Sequence, residues 1–306
     1  MREPIRFATH AIGSQVGPVS AAASLDACLR WSWRPEVALP CLLAASLYAI
    51  GWQRFSRRCR RHLPVWRLAA AYGGLTSLVL ALLSPLAALS EMLFAAHMLQ
   101  HMLLLVGAPA VLLADPLPIT LWALPRSMRR LISRLLAPGA VLRRVWRALT
   151  WMPSAWMIYT LMLWVWHLPI AYEGALQNAF LHDIEHLAFF AASVVFWWPV
   201  INPAPHVRRA PSPAFTILYL VLAAFQKATL ALVLMLSSRL LYPSYSGMPR
   251  LLDLSQLEDQ VYDGVIMWGV GGAIDMSAVL VLLFHFLALE ERPYKAPVHA
   301  GRDRPA

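Results

Sequence analysis

Long apolar runs separated by short charged connections dominate the chain, and the length of those runs sets the class of protein. A bilayer core about 30 Å thick takes about 20 mainly apolar residues in a helix, because the backbone must satisfy its own hydrogen bonds where water is absent. Seven stretches reach that length, at about 35–53, 66–86, 92–114, 152–171, 179–200, 213–236 and 264–288. The expected fold is all-α: a polytopic membrane protein with seven transmembrane helices over residues 35–290. Prolines mark the span edges at Pro35, Pro64, Pro116, Pro153, Pro199 and Pro213. Residues 1–34 hold no continuous apolar core and read as an extracytoplasmic lead-in, and 291–306 read as a cytoplasmic tail.

Charge in the connections gives the direction of threading, since Lys and Arg stay on the cytoplasmic side. Arg54, Arg57, Arg58, Arg60, Arg61 and Arg67 surround the first connection. Skipping one connection each time, the next basic segments hold Arg126, Arg129, Arg130, Arg134, Arg143, Arg144 and Arg147, then Arg208 and Arg209, then Arg292, Lys295, Arg302 and Arg304. The connections between them carry Glu91, then Glu173, then Asp253, Glu258, Asp259 and Asp263 against Arg239 and Arg250. This alternation predicts the N-terminus outside and the C-terminus in the cytoplasm. Within the basic loop 115–151, Met128, Leu131, Ile132, Leu135 and Leu136 recur at helical spacing among arginines, which predicts a helix lying on anionic membrane lipid.

Composition narrows the function. The chain is 59% apolar and 14% charged, so a soluble globular enzyme is excluded. A net charge of +10 would otherwise suggest a nucleic-acid partner, but basic residues broken up by membrane spans present no continuous phosphate-binding face, and none is expected. Cys28, Cys41 and Cys59 form no CxxC and support neither a disulfide framework nor a thiolate metal site.

Placing the histidines by depth gathers five of the ten. At 1.5 Å per residue, His97 and His101 lie about 8 and 14 Å below the start of the third span. His167 ends the fourth span, and His182 and His186 open the fifth, so all five fall near the outer surface. Residues four apart share a helix face, so His97 with His101, and His182 with His186, each form a chelating pair. Imidazole suits copper, zinc and iron, whereas thioether favours Cu(I), and Met98 and Met102 adjoin the first pair. Asp183 and Glu185 bracket the second pair as candidate hydrogen-bond partners for the ring N–H groups. Single histidines in membrane helices commonly serve as structural hydrogen-bonders; five at one level point to a shared metal or cofactor. Lys227 and Asp275, near mid-membrane, are expected to pair, since either charge alone at that depth costs about 2.5–3.5 kcal/mol.

The third span, AAHMLQHMLLLVGAPAVLLADP (95–116), resembles the multi-spanning cytochrome c oxidase assembly factors called CtaG. WVWHLP (164–169), HDIEHLAFF (182–190), LYPSY (241–245) and LEDQVYDGVIMW (257–268) follow in the family's order, and the likeness runs from about 35 to 290. It implies a non-catalytic role in maturing a haem-copper oxidase at the bacterial cytoplasmic membrane, with oxidase subunits as partners and copper, as Cu(I), as the metal. It also implies importance for His97, His101, His167, His182, His186, Asp259 and Gln260. Two rival readings stand beside it: a b-type haem protein with histidines on facing spans as axial ligands, and an ion-coupled transporter using Lys227 and Asp275. The oligomeric state is left open.

Overall fold

A computed structural model describes residues 31–59, 63–247 and 254–290. The expectations for the lead-in up to residue 30, with Cys28, lie outside the described residues, as do those for Arg60, Arg61, Arg250 and Asp253. So do those for the tail with Arg292, Lys295, His299, Arg302 and Arg304. The described chain forms α1 (Pro35–Cys59), α2 (Val65–Leu83), α3 (Pro85–Leu89), α4 (Phe94–Leu113), α5 (Pro116–Thr120) and α6 (Arg126–Leu135). It continues through α7 (Val141–Leu149), α8 (Met152–Trp166), α9 (Pro169–Gln177), α10 (Ala179–Ile201), α11 (Pro213–Leu236) and α12 (Gln256–Glu290), with a 3-10 turn at Pro243–Gly247. No strand occurs among the described residues.

Six of these helices, α1, α2, α4, α10, α11 and α12, are individually long and apolar enough to cross a membrane. The fourth expected span departs from the continuous 152–171 helix. It is built from α7 and α8, bent by 68° at residues 150–151, and the count reaches seven when that pair is taken as one span. At its other end α8 stops at Trp166, because Pro169 forces Leu168 into extended backbone (ψ 134°) and then opens α9. The last span also begins earlier than position 264. Ser255 and Glu258 form a reciprocal capping box, with Glu258 N–H donating to Ser255 Oγ at 3.2 Å and Ser255 N–H to Glu258 Oε2 at 2.8 Å. Glu258, Asp259 and Asp263 thus ride on the first turns of α12 instead of lying in a solvated loop.

Helix α4 is the hub of the bundle. It packs against α2, α10 and α12, while α8 closes the far side by touching both α10 and α11. Glycine lets backbones approach closely at three places. A Cβ on Gly74 would sit 2.9 Å from Gly107 O of α4, one on Gly264 2.9 Å from Ala231 O of α11, and one on Gly51 2.1 Å from Ile119 O. A Cβ on Gly269 or Gly272 would have no such atom within 4 Å.

Two buried polar contacts, a helix cap and an ion pair, tie α12 to its neighbours. Leu93, at the start of α4, has no side chain that caps the helix. Asp259 of α12 supplies the cap, accepting from Phe94 N–H at 2.8 Å and Ala95 N–H at 3.0 Å. Further along, Lys227 Nζ of α11 lies 2.5 Å from Asp275 Oδ2 of α12, both side chains being buried. The expected charge pair therefore forms, between sequential helices.

The basic loop is helical where its pattern predicts, over α6, and Met128, Leu131 and Leu135 expose an apolar face to the surroundings. At this end of the bundle Arg143 donates to His206 O at 2.9 Å and Arg208 to Arg147 O at 3.0 Å, so separate basic segments meet.

Two outcomes test this packing. Lys227→Met alone is expected to lower stability by about 3–5 kcal/mol, because it leaves a buried carboxylate without its cation, and Lys227→Met with Asp275→Leu to recover most of that loss; thermal unfolding in detergent reads both. Asp259→Ala should cost about 1–2 kcal/mol and speed amide exchange at Phe94 and Ala95, as loss of a helix cap does.

Candidate metal centre

The start of α4 and the start of α10 face each other at the bundle end opposite the arginines, and the short-loop geometry around each start sets which side chains turn inward. Asn178 caps α10 by accepting from Phe180 N–H at 2.9 Å and Leu181 N–H at 3.3 Å, which fixes the register of His182, Glu185 and His186. The trans cap from Asp259 does the same for His97 and His101. From these two helices come four imidazoles in mutual contact. Ring centroids are 4.4 Å apart for His97 and His101, 4.2 Å for His182 and His186, 5.3 Å for His97 and His182, and 5.4 Å for His101 and His186.

Glu185 completes the group. Its carboxylate is 0% exposed and points between the α4 histidines, with Oε2 3.8 Å from His97 Nε2 and Oε1 3.8 Å from His101 Nε2. Those distances exceed hydrogen-bond range. Both carboxylate oxygens, both nitrogens of His186 and Nε2 of His101 and His182 are buried without a hydrogen-bond partner. Buried polar atoms are ordinarily paired, so a cluster of orphans whose chemistry is that of metal ligands could hold an ion. Two sets have one ligand atom from each residue within 4.8 Å of the others: His97 with His182 and His186, and His97 with His101 and Glu185. His97 belongs to both sets.

The remaining site candidates fall elsewhere. His167 is buried and joins neither set; its Nδ1–H donates to Leu163 O at 2.7 Å, and its ring lies 6.1 Å from that of Phe189. Asp183, expected beside the histidines, turns away to form an ion pair with Arg34. Met98 and Met102 pack into the main apolar core. Met102 Sδ and Lys227 Nζ lie 3.8 and 3.7 Å from where a Cβ on Gly271 would be, which places the Lys227–Asp275 pair against the residue after His101. Gln260 is used structurally: it accepts from Leu241 N–H at 2.9 Å and donates to Leu234 O at 3.2 Å. His206 and His285 are exposed.

Sequence reasoning assigned no role to the aromatic wall beside the centre. The ring of Tyr172 lies 5.1 Å from that of His97, and its hydroxyl is 2.9 Å from that of Tyr245, which donates onward to Ser90 O at 3.3 Å. Tyr242 donates to His167 O at 2.8 Å and so fixes the α8–α9 turn. Burial pushes the Tyr242 and Tyr245 phenols upward, keeping them neutral donors. Asp263 is fully buried with both oxygens unpartnered. The signal for the two loop tyrosines was present as LYPSY, but spacing gives no reason for a loop tyrosine to turn inward. Asp263 was hidden by its acidic neighbours, which resemble a solvated loop.

The model of the cytochrome c oxidase caa3 assembly factor family (Caa3_CtaG) matches residues 46–288, which include all the histidines of the centre. Uncharacterized proteins of Mycobacterium bovis and Mycobacterium tuberculosis are each 25% identical over 262 residues, covering 83% of this chain and 38% of the relative. The chain thus spans less than two fifths of the length of these relatives. No solved structure matches it. With the family's pattern running across most of its length and through every membrane helix, the chain belongs to the cytochrome c oxidase caa3 assembly factor family.

Proposed function

We propose that this chain assists assembly of a haem-copper oxidase in the bacterial cytoplasmic membrane by holding copper as cargo and passing it to an oxidase subunit. The observation that carries the reading is the convergence of three buried imidazoles, the partly buried His182 and one buried carboxylate, with ligand atoms left unpartnered. The donor set suits copper on chemical grounds, imidazole being a good ligand for it. Charge favours Cu(I) in particular. A monovalent ion beside ionised Glu185 gives a centre of net charge zero, the cheapest arrangement at a site shielded from water.

Two overlapping ligand sets also suit a carrier. His182 is the most accessible of the four histidines, whereas His97, His101 and Glu185 are fully enclosed. An ion taken up by His97, His182 and His186 reaches His101 and Glu185 by exchanging ligands about the shared His97, without becoming ligand-free. Neither set is a closed four-thiolate cage of the kind that retains structural zinc, so release is compatible with the donor chemistry. The alternation of basic connections supports an outward orientation for this end of the bundle, where copper for an outward-facing assembly step would be met.

The test is Cu(I) loading of the purified protein, with elemental analysis and competition by a chromophoric chelator, beside the copper content of the oxidase from the same cells. His97→Ala should weaken Cu(I) retention most, since both sets lose a ligand. His101→Ala and His186→Ala should each reduce retention and oxidase activity while the protein still inserts, and Glu185→Gln should weaken affinity by about tenfold or more. Normal copper retention in His97→Ala, or a Soret band at about one haem per chain in place of copper, would overturn the assignment.

A further inference from the structure

At the arginine-rich end, the bend between α7 and α8 leaves a cavity of about 870 Å³ bounded by α8, α10, α11 and the segment 202–212. Its lining is sharply divided. Arg147, Arg208 and Arg209 stand at it, all three exposed, and no Asp or Glu is among the lining residues. Arg208 Nε donates to Arg147 O at 3.0 Å, which holds the segment 202–212 against the end of α7 and so keeps cationic groups from two separate loops together. None of the three forms an ion pair among the described residues. The rest of the lining is largely apolar and aromatic. Trp156 of α8 and Phe215, Leu218 and Leu222 of α11 run away from the arginines along the length of the helices, and the three α11 side chains are exposed.

We infer that this cavity is a binding site for an acidic phospholipid, its phosphate headgroup held by Arg147, Arg208 and Arg209 and its acyl chains lying along Trp156 and the Phe215–Leu218–Leu222 face of α11. Each half of the lining restricts the occupant. A soluble phosphate would meet the cationic end but leave the apolar face bare, and a neutral hydrocarbon would leave the arginines uncompensated. Only an amphiphile with an anionic head satisfies both, and basic pockets between membrane helices recognise such headgroups by charge and by the bidentate fit of guanidinium to phosphate. The polar Thr150, Asn202 and Ser212 complete the lining. The site is at the opposite end of the bundle from the histidine centre and stands independently of the copper reading.

The experiment uses the full chain in nanodiscs of phosphatidylcholine containing a minority of phosphatidylglycerol, extracted gently and weighed by native mass spectrometry. Wild-type protein is expected to retain phosphatidylglycerol in preference to phosphatidylcholine. Arg147→Gln with Arg209→Gln should lower that preference by about tenfold or more, at roughly 1 kcal/mol per basic residue. Arg130→Gln with Arg134→Gln, on α6 and outside the cavity, should leave it unchanged. Equal retention of both lipids by the wild type, an equal loss in the two double variants, displacement by millimolar inorganic phosphate, or a polypeptide retained in place of lipid would each overturn the inference. The wild-type lipid comparison decides the matter even where the cavity variant does not fold.

Discussion

A polar side chain in a bilayer must be hidden from hydrocarbon, and the architecture of this protein follows from how one helix meets that requirement. Helix α4 carries His97, Gln100 and His101 within a span that otherwise reads as continuous apolar sequence. Facing lipid, those three groups would have no partners at all. The helix therefore sits at the centre, enclosed by α2, α10 and α12, with just over half of its span buried. Gln100 donates to Ala81 O of α2 at 2.8 Å, and α4 carbonyls at Leu103 and Leu105 accept from Ser77 of α2 and Ser193 of α10. Polar contacts thus hold the helix in place where apolar contact alone would be no better than contact with lipid.

The same accounting separates structure from function. Most buried polar groups in the bundle are matched: Tyr48 to Ala114 O, Tyr219 to Phe196 O, Asp259 to the α4 amides and Lys227 to Asp275. The densest group of unmatched atoms lies where α4 meets α10, on histidines and a glutamate whose unpaired atoms are ligand atoms. A fold that leaves His101, His186 and Glu185 without partners carries a free-energy cost there, which a cation bound among them would offset. Asp263, buried with both oxygens unmatched, belongs to neither metal set, and single unmatched atoms also occur on Trp146, Trp156, Trp198 and Gln226.

Function divides along the axis of the bundle. The ligand cluster occupies one end, stiffened by caps on α4 and α10, and the arginine-lined cavity occupies the other, shaped by a bend in the fourth span. Between them the Lys227–Asp275 pair joins α11 to α12 beside Met102. The ends differ in chemistry. Imidazole and carboxylate at one suit a cation, and guanidinium at the other suits phosphate.

Composition and apolar run length were enough to determine the helical membrane class, because a spanning helix announces itself through consecutive residues. The i, i+4 histidine pairs were equally legible, since both members lie on one helix face. What the chain alone could not decide was how separate helices turn toward one another. Glu185 read as a local partner of His182 and His186, yet it reaches across to His97 and His101; Asp183, two residues away, turns out to Arg34. Asp259 looked like loop charge and is the cap of a helix more than 160 residues earlier in the chain. Local periodicity comes from bonds along the chain. Ligand sets and trans caps come from the rotation of one rigid helix against another, which is settled only when every buried polar group in the bundle seeks a partner at once.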